Sequence, residues 1–186
     1  MEIGIDEEWL KVLYDVLVDI YKETDTPITV GYNEGMINVC VERPQTGIYD
    51  FIPFPHFLHK VAVLMETIID FHPFADGNKR VALLATFYFM HWNEYDFFIP
   101  ENADDFTIAV AKHEKKLNDI LSWLVDHSKR GFFSILRNKI CYVSISFWGK
   151  YPILGSLIEP LIPLFVPLYP LMFFRYKIMS RRRKRK

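Results

Sequence analysis

Ten consecutive residues, Phe71-His72-Pro73-Phe74-Ala75-Asp76-Gly77-Asn78-Lys79-Arg80, gather one imidazole, one carboxylate, a glycine and two cations. His72 has the side chain whose unperturbed pKa lies nearest neutrality, which suits it to take a proton from a hydroxyl. Asp76 is a hard oxygen ligand of the kind Mg²⁺ accepts, one or two carboxylates with substrate phosphates and water completing the shell. Gly77 lets the backbone approach a ligand closely or adopt φ > 0. Lys79 and Arg80 fall where a helix is expected to begin, the unfavourable end of the macrodipole for cations, and a bound anion would offset that cost. These are parts used in phosphate-ester chemistry. Each also has a plainer reading: a structural histidine, an Asp76 helix cap, an ordinary turn glycine and a solvated basic pair.

The elements that must position these groups are legible on either side. Val63, Leu64, Met65, Ile68, Ile69 and Phe71 recur at helical spacing before the motif, and Val81 to Met90 forms a second apolar helix after it. The motif is therefore expected as a short loop between two buried helices, with Gly77-Asn78 opening the second. Free backbone N–H groups at such a helix start favour a phosphate. Asp6-Glu7-Glu8 begins a first helix whose stripe is Trp9, Leu10, Leu13, Val16, Leu17, Ile20 and Tyr21. Pro27 to Gly35 reads as a turn-rich connector, and Arg43-Pro44 to Pro55, with Gly47, Pro53 and several aromatic residues, as an ordered loop. Glu101 to Ala111 and Glu114 to Asp126 read as two further helices, the second burying Leu117, Ile120, Leu121, Leu124 and Val125. The expected fold class is all-α.

His72-Pro73-Phe74-Ala75-Asp76-Gly77-Asn78-Lys79-Arg80 resembles the signature loop of the Fic/Doc (Fido) family, and its Asn-Lys-Arg ending resembles the Doc branch. Glu42-Arg43-Pro44-Gln45 resembles the family's segment before the flap, and Ala82 to Trp92 the long helix after the loop, so the likeness covers roughly residues 8 to 127. It implies a helical bundle with a short flap before the motif loop. It implies a transferase, with His72 deprotonating a Ser, Thr or Tyr hydroxyl of a protein target. Asp76 would hold a divalent metal, Mg²⁺, while Gly77, Asn78, Lys79 and Arg80 bind the phosphates of a nucleotide, ATP as co-substrate.

Two departures from the commoner Fic pattern matter. Lys79 stands where that pattern has Gly, and Leu83 where it has a second Arg. Common-pattern proteins mostly transfer AMP, whereas the Doc branch transfers the terminal phosphoryl group, so Lys79 tilts the expectation to phosphoryl transfer. The inhibitory Ser/Thr-x-x-x-Glu-Gly/Asn pattern fails at Glu34-Gly35, because Val30 occupies the hydroxyl position. A separate antitoxin-like inhibitor is thus implied. The alternative is a non-catalytic Fido module that binds an anion or a partner through the same loop.

The net charge of −1 gives no argument for nucleic-acid binding. Cys40 and Cys141 lie far apart, which implies neither a disulfide framework nor a zinc site. The amino terminus is acidic and lacks the apolar core of a signal peptide, so a cytoplasmic domain is expected. Composition changes at Gly131, dividing a domain over 1–130 from an extension over 131–186. That extension holds an apolar run from Phe132 to Trp148 broken by Arg137, Asn138 and Lys139, then 24 residues from Tyr151 to Phe174 with Glu159 the one acid. Such a length suffices for a hydrocarbon layer ~30 Å thick, and its prolines at 152, 160, 163, 167 and 170 are tolerated inside a membrane. A single crossing would put the basic end, Arg181 to Lys186, on the side opposite the domain, against the positive-inside tendency. A hairpin, an interfacial segment or an arm packed on protein each remains open for residues 132–174.

Overall fold

Asp6 sets the start of the first helix, its carboxylate accepting the Trp9 N–H at 2.8 Å. In the computed structural model, which describes residues 4–22, 24–25, 27–46 and 53–131, that helix is α1, Glu7–Tyr21. It buries Trp9, Leu10, Val12, Leu13, Tyr14 and Leu17. The expected stripe is therefore rotated: Tyr14 is fully buried, whereas Ile20 is 60% exposed. The cause lies in the next segment, residues 27–33, which runs over Tyr14 and receives its hydroxyl.

The connector ends at Asn33, two residues before the expected Gly35, and a helix not expected from the sequence follows it. Helix α2, Glu34–Glu42, starts at Asn33, whose side chain accepts the Met36 N–H at 3.2 Å. Its Ile37, Cys40 and Val41 are buried. At its end Arg43 bonds Thr67 Oγ1 at 2.9 Å and pairs with Glu66 at 3.1 Å, tying the start of the following loop to helix α3, Phe57–Phe71. Gln45 continues the tether, donating to the carbonyls of Val41 and Ile5. Most of the expected flap, residues 47–52, lies outside the described residues.

The core is built on α3 and α4, Asn78–Trp92, which flank the motif. Val61 to Met65, Thr67, Ile68 and Ile69 are buried on α3, and nearly all of α4 from Val81 to His91 follows suit. Both helices are apolar on most sides because neighbours cover each of them: α1 packs on α4, α2 and α6 (Leu117–Asp126) on α3, and α5 (Ala103–Ala111) on both. At the start of α6, Asp119 accepts the Lys116 N–H at 2.8 Å. Trp123 on α6 stacks on Phe106 at 4.5 Å and is buried, while Val125, expected in the stripe, is 52% exposed.

A feature absent from the sequence reading is a small two-stranded sheet pairing β1, Tyr95–Phe97, with β2, Ser128–Arg130. The architecture is otherwise helical throughout the described residues. The compact helical unit ends at Lys129. Among the described residues no helix is long and apolar enough to cross a membrane. The segment 132–174, for which the sequence leaves a membrane-associated and a protein-packed arrangement both open, lies outside them.

Candidate active site

Helix α3 stops at Phe71 because Pro73 follows, and a residue before proline is disfavoured in the right-handed helical region. His72 takes a left-handed conformation instead, φ 46° and ψ 57°, and its side chain is exposed. That geometry is uncommon for any residue but glycine and costs energy that the surrounding structure must supply. Here it turns the chain sharply enough to carry Pro73 and Phe74 back into the core, where both are buried.

The loop is then pinned from two sides. On the inside, Asn78 Oδ1 accepts the Phe74 N–H at 3.0 Å and Asn78 Nδ2 donates to the Phe74 carbonyl at 2.7 Å. Asn78 is 9% exposed, so its amide is committed to the loop. On the outside, residues 31–33 pair with the loop as a short antiparallel bridge, Tyr32 opposite Phe74. The Asn33 N–H donates to the Pro73 carbonyl and the Ala75 N–H to the Gly31 carbonyl, each at 2.8 Å.

Gly77 cannot be another residue without cost. It sits at φ 80°, and a Cβ there would meet Leu17 Cδ2 at 3.2 Å and Ile28 Cδ1 at 3.3 Å. It is the N-cap of α4 with no side-chain cap bond, which leaves the first-turn N–H groups of Asn78, Lys79 and Arg80 unclaimed by any helix carbonyl. These donors and the positive helix end are groups that would suit an anion. Asp76 is not the helix cap, as one sequence reading allowed; it is exposed and its Oδ1 accepts the Gly77 N–H. Among the described residues no three His, Cys, Asp or Glu side chains cluster to hold a metal. Asp76 alone fits a hard cation of the Mg²⁺ kind, which needs few protein ligands when phosphates supply the others.

The two cations differ in setting. Lys79 is exposed on the first turn of α4. Arg80 lies across the ring of Tyr21, its guanidinium carbon 4.4 Å from the centroid, at the end of α1. His72, Asp76, Gly77, Lys79 and Arg80 thus all lie on one loop and the helix start it feeds. Asn78 is the exception: it contributes its backbone N–H, while its side chain builds the loop. Sequence reasoning missed Tyr14, Tyr21's contact with Arg80 and the 31–33 edge. The spacing Leu10, Tyr14, Leu17, Tyr21 carries the signal, since steps of four, three and four put both phenols on the face that meets the motif.

A helical bundle presenting this pinned loop defines a class of protein. The Fic/DOC family model matches residues 4–90, which runs from before α1 to the last turns of α4. The chain is also 31% identical over 93 residues, 48% of its own length and 72% of the relative's, to the protein named Toxin Doc from Mycolicibacterium smegmatis. The chain belongs to the Fic/Doc family, and within it is similar to the Doc branch. It is a protein-modifying domain of Fic/Doc type, a family whose members are typically nucleotide-transferring enzymes.

Proposed function

We propose that this domain moves a phosphate-containing group from ATP to a Ser, Thr or Tyr hydroxyl of a target protein, with phosphoryl transfer favoured over AMP transfer. The observation that carries the reading is the exposed Lys79 on the first turn of α4, beside a Gly77 N-cap that leaves the backbone donors available. A long, mobile point charge in that nest changes which phosphate fits there, compared with a loop of backbone donors alone. His72, exposed at the turn, takes the proton of the attacking hydroxyl. The hydroxyl oxygen bonds to the γ-phosphorus, the bridging P–O bond breaks and ADP leaves. Lys79 and Arg80 hold charge on the phosphates during this exchange. Asp76 would hold Mg²⁺, which when bound supplies charge neutralisation at the nucleotide.

The partners in this reading are the target protein and a separate antitoxin-like inhibitor. The similarity to a protein named Toxin Doc supports the second, as does Val30 at the position where an inhibitory segment would need a hydroxyl. The apolar composition of residues 132–174 would suit attachment to a membrane. The test is incubation of the full chain and a host lysate with ATP labelled at the α or the γ phosphate. Label from the γ position, and a target heavier by about 80 Da, are expected; an increment of about 329 Da would show AMP transfer and remove the phosphoryl reading.

A further inference from the structure

The Tyr14 phenol sits at a junction that the proposed chemistry does not use. It is fully buried on α1, yet its hydroxyl donates to the Thr29 carbonyl at 2.8 Å and accepts the Gly31 N–H at 3.3 Å. Its ring stacks on that of Phe74, centroids 4.2 Å apart and planes 19° from parallel. Phe74 is the residue that Asn78 clamps, and Gly31 begins the edge that bonds Ala75 and Pro73. One side chain therefore touches both strands of the bridge, the loop through its ring and the 29–31 backbone through its oxygen.

We propose that Tyr14 is a positioning residue, whose hydroxyl holds residues 29–33 in register with the motif loop and thereby fixes His72 relative to the start of α4. The physical argument is one of remaining freedom. Pro73 and Asn33 share one hydrogen bond and Ala75 and Gly31 another, and two bonds across a single two-residue bridge are weak by themselves. Without the hydroxyl, the Thr29 carbonyl and Gly31 N–H lose their buried partner, and the edge is free to separate from the loop. The clamp by Asn78 fixes Phe74 from the helix side only. It leaves the turn at His72, already in a left-handed conformation, without its outer support. Misplacing a base by a fraction of its reach to the hydroxyl lowers the rate of the chemical step more than it weakens nucleotide binding. The consequence for catalysis rests on the function proposed above; the consequence for the bridge does not.

The experiment uses the full chain and Tyr14→Phe, which keeps the ring stack and removes only the oxygen. Amide hydrogen exchange reads the bridge directly. At Asn33 and Ala75 it should quicken by at least about tenfold, while core amides of α3 and α4 change much less. With γ-labelled ATP, the transfer rate should fall about tenfold and the KM for ATP stay within about twofold. Unchanged exchange at Asn33 and Ala75 would overturn the proposal, as would acceleration in step with the α3 and α4 core, which marks a merely structural tyrosine. If the wild-type chain transfers no label, the proposed function fails, and exchange at the bridge still decides the role of Tyr14.

Discussion

Asn78 and Phe74 exchange two hydrogen bonds across one turn of the motif, amide to carbonyl at 2.7 Å and N–H to amide oxygen at 3.0 Å. The side chain thus replaces the strand partner that Phe74 would have in a sheet, and it does so from the first residue of α4. The start of α4 and the loop carrying His72 are in this way built as one piece.

Replacement of Asn78 by Ala should therefore destabilise the domain by about 1–3 kcal/mol, the cost of leaving a buried donor and acceptor without partners. Urea denaturation measures it. Asn78→Asp retains the acceptor for Phe74 N–H, loses the donor and adds a negative charge at the nest, so it should weaken nucleotide binding more than Ala does. If Ala and Asp weaken ATP binding equally, Asn78 acts only through the loop's conformation.

The fold was largely legible because its helices announce themselves. Asp6 caps α1, and the apolar runs around the motif are long enough to be helices and nothing else. What the sequence concealed has specific causes. Helix α2 is short and follows Pro27 and Gly31, so turn residues masked it, although Asn33 is a good N-cap. The strands Tyr95–Phe97 and Ser128–Arg130 have three residues each, too few to show alternation. At the candidate site, the sequence put His72, Asp76 and Gly77 on one loop, as the structure does, but hid the task of the Asn78 side chain. Which face of an amide is spent on backbone depends on the path of the chain, and that path is set by the φ 46° turn at His72. Tyr14 was hidden for a related reason: its ring packs as core, and only the approach of residues 29–31 gives its oxygen a task.

His72→Ala should lower transfer by at least the ~10²-fold expected for loss of a general base, while ATP still binds. Asp76→Asn should do the reverse in part, weakening the Mg²⁺-dependent component of ATP binding because a neutral amide is a poorer ligand for a hard dication. Titration calorimetry with and without Mg²⁺ separates the two. A Mg²⁺ dependence identical in wild type and Asp76→Asn would leave the carboxylate with no role beyond accepting the Gly77 N–H.

Burial lifts the Cys40 thiol from its ordinary 9.0 to about 12, an effect that Arg43 opposes. The Tyr14 and Tyr88 phenols are raised above their ordinary 10.0, first of all by burial. All three groups are neutral when protonated, so the native chain keeps these protons to higher pH than the unfolded chain does. Stability from this source is complete below the ordinary values and is lost as pH rises through the window from 9.0 towards about 12. The urea midpoint should accordingly drop between about pH 8 and pH 10.5, and Cys40→Ala should make the drop shallower. A wild-type midpoint constant over that range would mean that the thiol and phenols ionise freely in the native state.

Tyr21 offers Arg80 a surface rather than a charge, its ring 4.4 Å below the guanidinium. No helix dipole favours Arg80 where it stands, since the first turn of α4 repels cations. The ring contact holds the guanidinium against the end of α1, and a pre-ordered guanidinium loses less entropy on meeting a phosphate. At a half-exposed site such a contact contributes about 0.5–1 kcal/mol. Tyr21→Ala should therefore weaken ATP binding about two- to fivefold, whereas Tyr21→Phe, which retains the ring, should bind as wild type does. Calorimetric titration of the three proteins, each also carrying Arg80→Ala in a parallel series, checks the assignment. In the Arg80→Ala background the Tyr21 substitutions should have no further effect. A loss of affinity that persists there would place the tyrosine in direct contact with the nucleotide and dissolve the link between the two residues.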